Sequence, residues 1–438
     1  MKMKRDWFSC DGRGFRTEPT SSAPAGSIDG TMPSRRAILV GAALGAITWA
    51  SRGSALAQVA IDPSNRDGRV LVVVFLRGGA DGLNIVVPHG EDAYYRNRPS
   101  LGIPRRSLVD LDGFFGLNPA LGPLERHFHE GRLAILHAVG SDDRTRSHFE
   151  AMNAMERGLS DVRQGAASGW LARHLAATEP ARPSPLRAVA FGPIMPDSLR
   201  GGTAAIAIES LADFRLTIPK GASAEVIRTR LRELYRRGSD EMAVAGRETL
   251  DVLDSLARLA PQDYEPAGSA AYPESDLGQG LRQVALLVRA GVGLEVAALD
   301  KGGWDTHVAQ GSTSGWLTAL LEDLARSLDA FATDLGEEMR KVTMVVMTEF
   351  GRRVAENGGL GTDHGRASMM MVLGGGVRGG KVLGEWPGLD RDALEGPGDL
   401  RVTTDYRNVL AEVLGRNGDA DLAAMFPGLR PRPVGLYG

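Results

Sequence analysis

Thr362-Asp363-His364-Gly365 sets an acid beside a histidine in a glycine-bounded turn, just downstream of Thr348-Glu349-Phe350-Gly351-Arg352. Carboxylates offer hard oxygen donors and neutral imidazole offers nitrogen, so this pairing reads as part of a site for a divalent cation. Gly303-Trp304-Asp305-Thr306-His307 repeats the combination, and Asp81 sits in a glycine-rich turn, Arg77-Gly78-Gly79-Ala80-Asp81-Gly82. The candidate ligands are therefore Asp81, Asp305, His307, Glu349, Asp363 and His364, for zinc, manganese or calcium as one ion or two. Such an ion would polarise an ester oxygen, and two ions about 4 Å apart would stabilise both the attacking and the leaving oxygens.

Thr145-Arg146-Ser147-His148-Phe149 follows an apolar run and opens a predicted helix. Ser147, at the helix start, is the candidate nucleophile, activated by the cation and by helix N-terminal amides, with Thr145 as its close competitor. Arg144 and Arg146 offer a forked grip on an oxyanion, and Asn84 and Arg77 are positioned in sequence to meet an anionic substrate. The same residue types have structural uses. Asp81 suits a helix cap, as do Ser147 and Thr145. Asp305 and His307 can bond their own loop, and Glu349 can pair with Arg352 or Arg353. His127 and His129 lie in a charged helical stretch, His137 inside a strand and His174 on a helix, so these four do not join the site.

The elements that must position these groups follow from periodicity. Arg69 to Leu76 is a continuous β-branched run of the kind buried on both faces of a sheet, and it meets the glycine-rich turn. Arg132 to Val139, Leu186 to Phe191, Gly291 to Leu299 and Val342 to Met347 read as further strands. Arg366 to Leu373 and Lys381 to Trp386 flank a glycine-rich segment and read as two strands joined by a glycine turn. Helical spacing covers 223–259 and Trp316 to Leu335, and Pro261 to Pro273 reads as a solvent loop. Alternating strands and helices argue for a mostly parallel central sheet covered on both faces, with Asp81, Asp305 and Glu349 each just past a strand end, where ligands gather in such sheets.

The chain has 438 residues, 43% hydrophobic and 24% charged, enough for one large α/β domain. Ser34-Arg35-Arg36, an uncharged run from Ala37 to Ala50 and Ala55-Leu56-Ala57 read as a twin-arginine export signal over residues 1–57, removed on export. The run is shorter than the roughly 20 residues a bilayer span needs, so no stable membrane anchor is expected. Residues 1–57 hold eight Lys or Arg and four Asp or Glu, which leaves 43 basic and 50 acidic residues and a net charge of −7 from residue 58 onward. With no basic stripe, a nucleic-acid surface is set aside. The only cysteine, Cys10, lies before the signal, so the mature chain, expected as one domain over 58–438 with an insertion around 160–273, forms no disulfide. There is no Gly-x-Ser-x-Gly elbow and no Walker-type loop, and the order of glycines after Arg77 is not that of a dinucleotide fingerprint.

On Leu76-Arg77-Gly78-Gly79-Ala80-Asp81-Gly82-Leu83-Asn84 and the four motifs quoted above, the chain resembles the bacterial exported family called domain of unknown function 1501. Members of that family look like distant relatives of alkaline phosphatases and sulfatases. The resemblance implies an alkaline-phosphatase-like three-layer α/β sandwich. In it Asp81 matches a first-strand metal aspartate, Asp305 and His307 match a metal pair, and Ser147 or Thr145 falls at the nucleophile. The sequence departs from that pattern at Glu349-Phe350, where the superfamily usually has Asp-His, so either one ligand is missing or Asp363-His364 supplies the pair. The expectation is a periplasmic or secreted hydrolase of phosphate or sulfate esters, acting on a small anionic substrate and meeting the twin-arginine translocase during export. The alternative is a non-catalytic periplasmic binding or assembly protein with a degenerate site.

Overall fold

Val70–Leu76 (β1) is apolar at every position and buried at every position, the signature of a strand covered on both faces. In the computed structural model, which describes residues 68–178, 183–202, 205–218, 221–259, 261–416 and 421–438, β1 lies inside a nine-stranded sheet. Its other strands are Leu133–Gly140 (β2), Ala188–Phe191 (β3), Ile206–Ile208 (β4), Val296–Lys301 (β5), Val342–Met347 (β6), Ser368–Gly374 (β7), Lys381–Leu383 (β8) and Thr404–Asp405 (β9). The order is β8-β2-β7-β6-β1-β5-β3-β4, with β9 paired to β2. Every pairing is parallel except the two made by β7. Val72 stands opposite Ala297 of β5 on one side and Met344 of β6 on the other.

Helices His148–Glu156 (α1), Trp170–Ala177 (α2), Ala224–Arg236 (α3), Glu241–Leu259 (α4), Asp276–Arg289 (α5), Trp316–Leu335 (α6) and Tyr406–Gly415 (α7) complete the layers. Because strand side chains alternate, β1 feeds two cores. Val70, Val72, Val74 and Leu76 pack with α5 and α6, and Leu71, Val73 and Phe75 pack with α1, α2 and α7. The protein is thus a three-layer α/β sandwich, as expected. α6 shows why: Leu317, Leu321, Leu324, Leu328, Phe331 and Leu335 recur at helical spacing and are all buried. Each such side chain contributes about 1.5–3 kcal/mol, so the stripe rather than intrinsic propensity holds the helix. Gly336, with φ of +51°, ends it.

The two strands flanking the glycine-rich segment both exist, but they do not pair with each other. β2 lies between them, antiparallel to β7 and parallel to β8. The glycine segment passes the start of β2 instead of making a tight hairpin, with Gly374, Gly379 and Gly380 donating to the carbonyls of Arg132, Gly131 and Leu133. Of the segment expected as an insertion, α2, β3 and β4 join the sandwich, while α3 packs along α4. The expected export signal, and Cys10 with it, lie outside the described residues. No helix among the described residues is long and apolar enough to cross a membrane.

Sheet order fixes where the site forms. The carboxyl ends of β2, β6, β1 and β5 share one edge, and the β6–β7 connection returns to that same edge.

His137, inside β2, is buried with Nε2 facing the Val86 carbonyl and Nδ1 accepting from the Ala138 amide, and burial lowers its pKa to about 4. An unfolded chain takes up this proton near pH 6.5, so between pH 6.5 and 4 the unfolded state binds more protons and the fold loses stability as pH falls. His137→Gln keeps a donor and an acceptor without titrating, so its thermal midpoint should fall less steeply than that of the unsubstituted protein across this window. Parallel slopes in a pH series of melting curves would contradict the assignment.

Candidate metal centre

The turn after β2 delivers His148 at the first position of α1, the turn after β5 delivers Asp305 and His307, and the β6–β7 connection delivers His364. His148, Asp305 and His364 each place one ligand atom within 4.8 Å of the others. His148 Nε2 and His364 Nε2 are 3.0 Å apart, and Asp305 Oδ1 is 3.1 Å from His364 Nε2. His307 Nε2 adds a fourth donor at the edge, 2.9 Å from His364 Nε2 and 3.1 Å from Asp305 Oδ1.

The far side of each ring settles what faces inward. Nδ1 of His148 lies 2.7 Å from Glu349 Oε1, Nδ1 of His364 lies 3.0 Å from the Arg146 carbonyl, and Nδ1 of His307 lies 3.3 Å from Asp363 Oδ1. All three partners are acceptors, so each neutral ring carries its proton on Nδ1 and turns an unprotonated Nε2 toward the same place. Three nitrogen lone pairs and a carboxylate then crowd together with no proton among them. Such an arrangement repels itself unless a cation, or a proton taken up by one ring, sits in the middle.

The electrostatics follow. The hydrogen bond to Glu349 raises the pKa of His148 above the ordinary imidazole value, whereas burial lowers that of His364. Burial pushes the Asp305 carboxyl up, but the hydrogen bond and the positive charge of Arg352 outweigh it and bring the group down to about 2. The hydrogen bond from the Asn357 amide lowers Asp363.

Glu349 and Asp363 thus stand behind the imidazoles. Glu349 is buried, with Oε1 accepting from the Gly78 amide and His148 and Oε2 accepting from the Thr348 hydroxyl. Among the described residues, no arginine pairs with it. Arg352 instead reaches Asp305 Oδ1 at 2.7 Å, and its remaining N–H groups go to the carbonyls of Gly78, Gly79, Trp304 and Thr362.

Asp81 lies apart from the cluster. It is buried in a forked ion pair with Arg98, at 2.6 and 2.9 Å, and its side chain caps no helix. Gln310 Nε2 donates to Asp81 Oδ2, while Gln310 Oε1 accepts from the hydroxyls of Thr306 and Thr362, all at 2.7 Å. Asp81 therefore anchors the two loops that carry Asp305, His307 and His364, and a guanidinium holds the place beside it where a second cation would have to sit. Asn84, expected near substrate, is buried and bonded to Tyr94, Arg98 and the Leu101 carbonyl.

Ser147 occupies the N-cap of α1 without a side-chain capping bond. The Thr145 hydroxyl is engaged, donating to Asp143 Oδ2. Arg146 has a left-handed backbone, φ of +54°, that brings its carbonyl to His364, and its guanidinium pairs with buried Asp399. Phe350 packs its ring 4.8 Å from that of His148 and 5.0 Å from that of His364, a wall and not a ligand. Gly79, φ of +66°, makes room, since a Cβ there would come within 2.4 Å of the Phe350 ring. Gly361 does the same for the His307 loop, where a Cβ would lie 2.3 Å from the His307 backbone.

His148 is the member of the cluster that sequence reasoning missed. Its signal was present, a histidine at the first turn after a strand end, but its neighbours Thr145 and Ser147 drew the chemistry to their hydroxyls.

Fold and site together define a three-layer α/β protein with a histidine and carboxylate centre at the carboxyl edge of its sheet. The chain belongs to the family described as Protein of unknown function (DUF1501), whose profile matches residues 134–421. No curated protein matches it. Among solved structures, the chain is similar to a candidate sulfatase from Bacteroides thetaiotaomicron, at 10% identity over 84% of this chain and 76% of that one, with a TM-score of 0.32. It is also similar to a 2-O GAG sulfatase, at 11% identity over 79% and 70% of the two chains, with a TM-score of 0.31. Likenesses this distant carry no argument about the site.

Removing the Arg352 guanidinium strands four backbone carbonyls and leaves Asp305 without its cation. Arg352→Met should therefore cost roughly 3–5 kcal/mol in urea unfolding. A loss below about 1 kcal/mol would show that Arg352 does not tie the loops together.

Proposed function

We propose that this protein is an exported, metal-dependent hydrolase of phosphate or sulfate esters, with His148, Asp305 and His364 as ligands and His307 as a further donor. The observation that carries the reading is the convergence of three imidazole Nε2 atoms on Asp305, each ring with an acceptor behind its Nδ1. The nitrogen-rich donor set suits zinc or manganese. It serves calcium poorly, since calcium takes roughly six to eight oxygen ligands. One ion is favoured over two because Arg98 already neutralises Asp81.

A divalent cation held there would polarise the ester oxygen and offset charge on the departing group. Glu349 keeps the His148 ring in one orientation, and Arg352 does the same for Asp305. Ser147, beside His148 and uncommitted as a cap, is favoured over Thr145 as the nucleophile, with water as the other acceptor of the reacting group. Exposed Arg144 supplies a cation for the substrate anion. The twin-arginine segment supports assignment to the periplasm or the exterior, reached through the twin-arginine translocase.

The protein from residue 58 onward, stripped and reloaded with zinc or manganese, should hold about one ion per chain by mass spectrometry of the metal. It should also hydrolyse an aryl phosphate or aryl sulfate. His364→Ala should weaken metal affinity by about 10–100-fold or more and abolish turnover. Protein that binds no ion overturns the proposal. Protein that binds an ion in this site but cleaves no ester supports the non-catalytic binding reading in its place.

A further inference from the structure

Seven large apolar side chains are exposed among the described residues, and four of them lie on the loops that carry the candidate ligands or on the first turns of the helices that join those loops. Phe149, 86% exposed, follows His148 directly, and Val308, 72% exposed, follows His307. Leu360 lies in the turn that Gly361 closes against the His307 backbone, and that turn's carbonyls accept from the amides of Ala309 and Gln310. Trp316 donates from Nε1 to the Gly303 carbonyl at 2.8 Å, two residues before Asp305. Leu360 is costly twice over, an exposed apolar side chain on a left-handed backbone, φ of +55°. Strain and exposure of that kind collect where a ligand is received.

The charges of the same loops point the same way. Arg77 is paired with Glu156 and Asp300, Lys301 with Asp323, Arg146 with Asp399, and Arg352 with Asp305. Arg353 lies 3.7 Å from Asp363. Arg144 is the exposed cation of these loops that has no ion-pair partner among the described residues. One such cation matches one anionic group. A substrate with charges along its length would meet paired guanidiniums and four apolar side chains.

We infer that the substrate is a monoester of a single phosphate or sulfate on an apolar aryl or alkyl alcohol, whose hydrocarbon part lies on Phe149, Val308, Leu360 and Trp316. This rests on the hydrolase reading, and it separates from that reading in the test. The probes are methyl-, butyl- and octylphosphonate, which bind but are not hydrolysed, titrated calorimetrically into the zinc-loaded protein. Turnover of 4-methylphenyl and 4-octylphenyl phosphate and sulfate is measured alongside. Each methylene that becomes buried should tighten binding by up to about fourfold. Octylphosphonate should therefore bind at least about tenfold more tightly than methylphosphonate. A double variant, Phe149→Ser with Leu360→Asn, should keep its metal and lose most of that gain, asparagine being tolerant of the left-handed backbone. Val308→Ser serves as an independent variant should the double one fail to fold.

Chain-length dependence without turnover of any ester keeps the four side chains as the seat of an apolar ligand and overturns the hydrolase, and with it the ligand's standing as a substrate. Turnover without chain-length dependence removes this inference alone. It is equally overturned by a dependence that survives in the variants, by absence of phosphonate binding, or by tighter binding of a sulfated disaccharide. Partition onto phosphatidylcholine vesicles without a chain-length effect assigns the apolar rim to a membrane and also overturns it.

Discussion

One buried guanidinium holds the functional edge of this protein together. Arg352 follows β6, and its N–H groups reach the turn after β1 at Gly78 and Gly79, the turn after β5 at Trp304 and Asp305, and the β6–β7 connection at Thr362. Three loops far apart in sequence are thereby fixed to one rigid, planar fork, which a lysine could not imitate with a single ammonium. Gln310 repeats the device without charge, linking Asp81 to Thr306 and Thr362. Asp305, His307 and His364 lie at or within two positions of these anchors, so their geometry is inherited from the scaffold.

On that scaffold the rings are aimed from behind. Glu349, Asp363 and the Arg146 carbonyl are not donors to the shared point, yet they decide which nitrogen of each histidine faces it. The carboxylates divide into three roles by partner. Asp305 faces inward and is held ionised by Arg352, Glu349 and Asp363 steer imidazoles, and Asp81 is spent in a buried ion pair. The pKa directions of His148 and His364 diverge for the same reason, since a carboxylate behind His148 outweighs its burial and no carboxylate stands behind His364 to offset burial there.

Much of the scaffold was legible in the sequence because its signals are local. The β-branched run of Val70–Leu76 and the helical stripe of Trp316–Leu335 each depend on residues within one element. What depended on distant partners was not legible. The placing of β2 between β7 and β8 is a choice among sheet edges, and no pattern inside Lys381–Leu383 encodes it. Asp81 has the residue type and strand-end position of a metal ligand, and only the fold brings Arg98 onto it. Glu349 was expected as a ligand and stands behind His148, because a carboxylate that binds an ion and one that orients a histidine look alike in sequence. His148 went unread for the opposite reason, hidden among hydroxyl residues that resemble a nucleophile motif. Helices Asp276–Arg289 and Tyr406–Gly415 also emerged only with the fold, which supplies the faces they cover.

The proposed chemistry requires a cation among the imidazole nitrogens around Asp305. The most direct measurement is a crystal of the zinc-loaded protein with anomalous data collected on both sides of the zinc absorption edge. The predicted result is a peak about 2.0–2.2 Å from His148 Nε2, His364 Nε2 and an Asp305 oxygen, with Arg98 still seated on Asp81. An absent peak, or an ion bound at Asp81 with the three imidazoles hydrogen-bonded among themselves, would contradict it.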